Sequence, residues 1–113
     1  MGWSQSGNYL ATYVRYFLEE SPYDAYFSAG AVHSFVTTLN QEDIASINDL
    51  SLTKINKMPK PFIAVQTESE NYNFGGNDAR MEDSDSEEFN FRLYEVPGAT
   101  HDTKFSLLDY YAD

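Results

Sequence analysis

A mostly parallel α/β sheet with flanking helices is the fold class this sequence predicts, on three observations. Leu10, Tyr13, Val14, Phe17 and Leu18 recur at i, i+3, i+4, i+7 and i+8, which lays one apolar stripe along a helix. Phe62-Ile63-Ala64-Val65 is an apolar run without polar alternation, the pattern of a strand buried on both faces. The elements also follow one another as helix, strand, crossover, strand, loop, strand, helix, and that alternation builds parallel sheets.

Each element has its own local reason. The first helix, Asn8 to Glu20, stops at Ser21-Pro22 because proline cannot continue the hydrogen-bond ladder. Tyr26 to Val32 mixes aromatic, small and branched residues between turn formers and reads as a buried strand. From Thr37 to Lys60 the chain is polar, and Asn40-Gln41-Glu42-Asp43 starts a short helix through Ile44 and Ile47. Pro59 and Pro61 close that stretch, and the Phe62 strand follows. Residues 71–88 turn to Asn, Gly, Ser, Asp and Glu, with a turn at Gly75-Gly76, and read as an acidic surface loop. Phe89 to Val96 alternates Phe89, Phe91 and Leu93 with Asn90 and Arg92, so it forms a further strand closed by Pro97-Gly98. Thr103 to Tyr111 reads as a last helix with Phe105, Leu108 and Leu107 inward.

Composition narrows the partners. With 113 residues the chain fits one small domain, and 42% hydrophobic and 16% aromatic residues support a packed core despite a net charge of −11. That charge repels phosphate backbones and anionic lipid, which argues against nucleic-acid and membrane partners. No cysteine is present, so no thiolate site and no disulfide framework exists. No cofactor motif is legible: no His/Cys/Asp cluster has zinc spacing, and no glycine-rich phosphate loop follows a strand. Glu82-Asp83-Ser84-Asp85-Ser86-Glu87-Glu88 alternates oxygen donors, but it lacks the glycine and the flanking helices of a calcium loop and reads as a solvated insertion, with no metal site. The localisation is left open by the sequence.

In parallel sheets functional groups collect beyond the carboxyl ends of the strands. Ser4 lies in Gly2-Trp3-Ser4-Gln5-Ser6-Gly7 at the mouth of the first helix, with the small residues Gly2 and Ser6 two positions away on either side. A serine exposed on a sharp turn needs such neighbours, although the strand leading into the turn is expected to be missing. Glu68 and Glu70 follow the Phe62 strand, and His101 follows the strand ending at Val96. The chain therefore offers a nucleophile, an acid and a base in the order Ser, Glu, His. The plainer readings are a helix-capping Ser4, a loop His101 and two solvated acids. His33, just past a strand, reads as a loop or core histidine, and Trp3 as a pocket wall or a packing residue.

Three stretches together, Gly2 to Gly7, Pro61 to Glu70 and Phe91 to His101, resemble the carboxyl-terminal part of an α/β-hydrolase domain protein. The subgroup it is similar to carries Ser-Gln-Ser-Gly at the turn, Thr-Glu-x-Glu after the penultimate strand and Glu-Val-x-Gly-x-x-His near the end. The chain departs from it at Asn8, where arginine is usual, and at Ser6, where the common Gly-x-Ser-x-Gly form has glycine.

The resemblance implies a partial α/β-hydrolase fold, the upstream strands lying before Met1. It implies a serine hydrolase acting on small-molecule carboxylic esters through an acyl-enzyme. Ser4 would be the nucleophile, His101 the base and Glu70 the acid, with Glu68 as the alternative, and the Gln5 backbone N–H would form half of an oxyanion hole. The other function class is a non-catalytic remnant or interaction module that keeps the motifs. For the isolated chain the expectation is weak or absent turnover and self-association through an exposed sheet edge.

Overall fold

The structure is a computed structural model that describes residues 1–32, 55 and 57–101. The short helix through Ile44 and Ile47, His33 and the helix from Thr103 to Tyr111 lie outside those residues. Among the described residues the sheet has five strands: β1 (Gly2–Trp3), β2 (Tyr26–Ala29), β3 (Met58–Thr67), β4 (Ser84–Asp85) and β5 (Phe89–Val96). Their order is β1-β2-β3-β5-β4. β1, β2, β3 and β5 run parallel, and β4 pairs antiparallel with β5 at the far edge. Helices α1 (Gln5–Phe17), α2 (Glu68–Asn73) and α3 (Gly76–Ala79) complete the described fold.

The fold is thus the mostly parallel sheet with helices that the sequence predicts, with differences that have physical causes. The strand before Ser4 is present, though only as Gly2 and Trp3, which pair with Ser28 and Ala29. A two-residue strand has no periodicity to read. α1 begins at Gln5, three residues before the expected start at Asn8, and its buried residues are Gly7, Ala11, Thr12 and Val14, with Leu18 buried just past its end and Phe17 exposed. Small residues prevail on that face because α1 lies close on the sheet. A Cβ on Gly7 would stand 2.5 Å from Ser28 Oγ and 2.6 Å from the Ala31 Cβ.

β3 includes Pro59 and Pro61 instead of starting after them. The ladder to β5 shifts register between Met58 and Phe62, and such an irregularity accommodates residues that cannot donate. Nor is the Phe62–Val65 run buried on both faces. Phe62 and Ala64 are buried, whereas Ile63 is 39% exposed. Among the described residues the core lies on one side of the sheet, where Ala11 and Val14 of α1 and Leu18 just after it meet Tyr26, Phe62, Ala64 and Phe91. Phe62 stacks on Phe91 at 5.9 Å between ring centroids, with Tyr26 at 6.1 Å on its other side. Phe27, Ile63, Tyr94 and Val96 are exposed on the opposite side of their strands.

Residues 71–88 are not one irregular loop. They hold the end of α2, all of α3 and β4. Asp83 and Asp85 are not free oxygen donors, since both pair with Arg92 on β5 and the Asp83 carboxylate also accepts the Leu93 N–H. No group of three or more metal-ligating side chains occurs among the described residues. No described helix is long and apolar enough to cross a membrane.

Candidate active site

The site is assembled at the carboxyl ends of β1, β2, β3 and β5. Ser4 sits between β1 and α1 with φ 52° and ψ −123°, a left-handed conformation that costs a non-glycine residue about 1–3 kcal/mol. The turn is held on both sides. The Ser4 N–H donates to the Ala29 carbonyl at 2.9 Å, and the Ser4 carbonyl accepts from Gly7 and Asn8 in the first helical turn. A Cβ on Gly2 would come within 2.5 Å of the Ser6 carbonyl oxygen, so the position before the turn requires glycine. Ser6 fits its place through hydrogen bonds to the Trp3 backbone: its hydroxyl donates to the carbonyl at 2.6 Å and accepts the N–H at 2.8 Å.

The Ser4 hydroxyl makes no capping bond to α1. It lies 2.9 Å from His101 Nε2 instead, across a sequence separation of 97 residues. The other ring nitrogen, Nδ1, is 2.5 Å from Glu70 Oε1. Glu70 is 1% exposed and sits in the first turn of α2, where its second oxygen accepts the Thr67 N–H at 2.5 Å. Burial pushes this carboxyl up, but the hydrogen bonds from Thr67 and His101 outweigh burial and hold it below the usual carboxylate value. An ionised Glu70 accepts a hydrogen bond donated by the Nδ1–H. That leaves Nε2 as the acceptor for the Ser4 hydroxyl.

Glu68 does not reach the imidazole. Its carboxylate accepts the Gly98 N–H at 2.6 Å, and Ser69 Oγ accepts the His101 N–H at 3.2 Å. Three successive residues opening α2 therefore hold the segment after β5: Glu68 its turn, Ser69 the histidine backbone and Glu70 the ring. The sequence carries a signal for this in Thr67-Glu68-Ser69-Glu70, a capping-box spacing that starts a helix at Glu68. Polar composition hides the helix otherwise.

Ser4, Gln5, Glu70 and His101 line one cavity of about 630 Å³, together with Asn8, Gly30, Ala31, Val32, Asn73, Phe74 and Gly75. Gln5 opens α1, and the first N–H groups of a helix have no intrahelical partner. Gly30, at φ 58°, lets the Trp3 ring and the imidazole approach each other. A Cβ there would stand 3.3 Å from the indole and 3.5 Å from His101 Cε1. The Trp3 and Phe74 rings flank His101 at 6.1 and 5.8 Å between centroids. No sequence pattern marks Phe74, whose place depends on where α2 ends.

A family model described as "alpha/beta hydrolase domain" matches residues 1–112, and the chain belongs to that family. No curated protein and no solved structure matched the chain.

Proposed function

We propose that the protein is a serine hydrolase that cleaves carboxylic esters through an acyl-enzyme. The observation that carries this reading is the unbroken contact from Ser4 Oγ through both nitrogens of His101 to Glu70. A serine hydroxyl is a weak nucleophile until a base removes its proton, and an imidazole performs that task only when its second nitrogen is held as a donor.

Ser4 Oγ attacks the ester carbonyl while His101 Nε2 takes its proton. The tetrahedral oxyanion accepts from the Gln5 N–H, and one such donor contributes about 2.7–4 kcal/mol to barrier lowering. Collapse expels the alcohol, which receives the proton from His101 and leaves an acyl group on Ser4. Water then attacks the acyl carbonyl with His101 as base and releases the acid. Glu70 keeps the imidazole in the productive tautomer and offsets its charge while it is protonated.

A fluorophosphonate probe tests the reading, since it reacts with serines activated in this manner. The wild-type chain is labelled, and Ser4→Ala is not. A folded wild-type chain that resists the probe would instead favour a non-catalytic interaction module.

A further inference from the structure

Three carboxamide residues line the cavity that holds Ser4 and His101: Gln5 and Asn8 on α1, and Asn73 at the last position of α2. Gln5 and Asn8 stand three positions apart and so share one face of the helix. Asn8 Oδ1 is shut away from solvent and meets no hydrogen-bond partner among the described residues. A buried acceptor without a donor is costly, and the terminal amide torsion of asparagine is soft enough to turn either end toward a ligand. Asn73 is exposed, and Phe74 beside it is 54% exposed although it is large and apolar. The Phe74 ring lies 5.8 Å from the imidazole. Its backbone N–H donates to the Glu70 carbonyl at 3.3 Å, so the end of α2 is tied to the residue that holds His101.

A carboxamide carries a donor and an acceptor side by side, and a hydroxyl answers both through a single atom. From these amides and the exposed ring next to them, we infer that the alcohol part of the ester is a polyol, a glycerol or sugar unit whose free hydroxyls pair with Asn8 and Asn73. This substrate class rests on the acyl-transfer reading, in which the leaving oxygen takes its proton from His101 Nε2 and therefore lies beside the imidazole that Phe74 flanks. The polyol departs with the proton that Ser4 gave up, and its acyl group stays on Ser4 until water releases it. An aromatic ring offers a negative face to the polarised C–H groups of such a unit, while its hydroxyls meet the amides. A cavity of about 630 Å³ holds a unit of this size together with a short acyl group. A plain alkyl alcohol in the same place leaves buried polar groups unpaired, and a site built to bind hydroxyls rejects the analogue that lacks them. Asn8 and Asn73 are thus specificity-determining residues.

Binding can be read apart from catalysis. Ser4→Ala removes the attack, and Trp3 is the one tryptophan of the chain, 6.1 Å from the His101 ring. Two pairs of butyrate esters are titrated against this variant by calorimetry and by Trp3 emission. Glycerol 1-monobutyrate is set against propyl butyrate, and 6-O-butyryl glucose against cyclohexylmethyl butyrate, so that each pair matches in size and differs in hydroxyls. The hydroxylated member is expected to bind about tenfold more tightly in at least one pair, the first reporting a linear polyol and the second a ring. Asn73→Ala, at an exposed position outside the core, is expected to lower that preference about threefold when added to Ser4→Ala. Adding Asn8→Ala as well is expected to bring it to about twofold or less. Equal binding within both pairs, tighter binding of the alkyl esters, a preference that survives the loss of both asparagines, or no binding of any of the esters would overturn the inference. Fluorophosphonate labelling of the wild type separates the two claims. Labelling without a hydroxyl preference leaves the acyl-transfer reading in place and removes this one, whereas a hydroxyl preference without labelling removes acyl transfer and leaves the polyol-binding site.

Discussion

Ser4 shows how one residue carries opposing demands. Its φ of 52° is unfavourable for any side chain, yet that conformation lifts the hydroxyl off α1 and toward His101. Ser4→Gly relieves the strain and is expected to stabilise the fold by about 1 kcal/mol while abolishing probe labelling. Urea denaturation and labelling on the same preparation check this, and a destabilised Ser4→Gly would contradict it.

Glu70 makes the complementary case. Its carboxyl is held below the ordinary value of 4.5, so its ionised form contributes stability that is fully present above that value and is lost as pH falls through the lowered one. Between neutral and acid pH, stability is expected to fall more steeply for wild type than for Glu70→Gln. In the same variant the amide oxygen stays with the Thr67 N–H and the NH2 faces Nδ1, which selects the wrong imidazole tautomer and is expected to slow labelling about 10³–10⁴-fold. Parallel pH dependences of stability in the two proteins would contradict the assignment.

At the scale of elements, the opening of α2 does more than supply an acid. Glu68 and Ser69 hold the backbone of the segment that presents His101, so their effect on chemistry passes through the position of the ring. Glu68→Gln and Ser69→Ala are each expected to slow probe labelling roughly tenfold, for a change in stability near the 0.5–1.5 kcal/mol of an ordinary hydrogen bond. Labelling rates and thermal melts measured together decide the matter. Unchanged labelling would show that the segment after β5 holds its place without them.

These elements also show what the sequence makes legible. Tyr26, Phe62 and Phe91 mark β2, β3 and β5 because aromatic and branched residues bounded by turn formers specify strands, and all three pack in the core. Glu70 and His101 stand out because each follows a strand with a recognisable end, and Ser4 because small residues flank it at the mouth of α1. β1 and α2 are not legible in that way. β1 has too few residues for a period, and α2 is nearly all polar, so both depend on pairing and capping that tertiary structure completes. Resemblance implies Glu70 as the acid with Glu68 as the alternative, and the start of α2 is what separates the two in space. One turn of helix sends Glu70 to the imidazole and Glu68 to Gly98.

At the scale of the molecule, the one-sided core of the described residues and a large negative charge act against each other. Phe27, Ile63, Tyr94 and Val96 leave apolar area exposed on the side of the sheet away from α1, and among the described strands β1 lies at an edge. A net charge of −11 keeps copies apart at low salt, and added salt screens that repulsion once the Debye length falls below about 10 Å. Sedimentation is therefore expected to give a larger apparent mass at high than at low ionic strength, with Tyr94→Lys reducing the difference. A monomer under both conditions would contradict the expectation.

Mass-spectrometric mapping of the phosphonylated protein decides whether Ser4 is the nucleophile of a Ser4–His101–Glu70 chain. One adduct per chain is expected, on the peptide that contains Ser4, and it is expected to be lost in His101→Ala. Adducts spread over other hydroxyls, or an adduct on Ser4 whose rate is indifferent to His101→Ala, would contradict it.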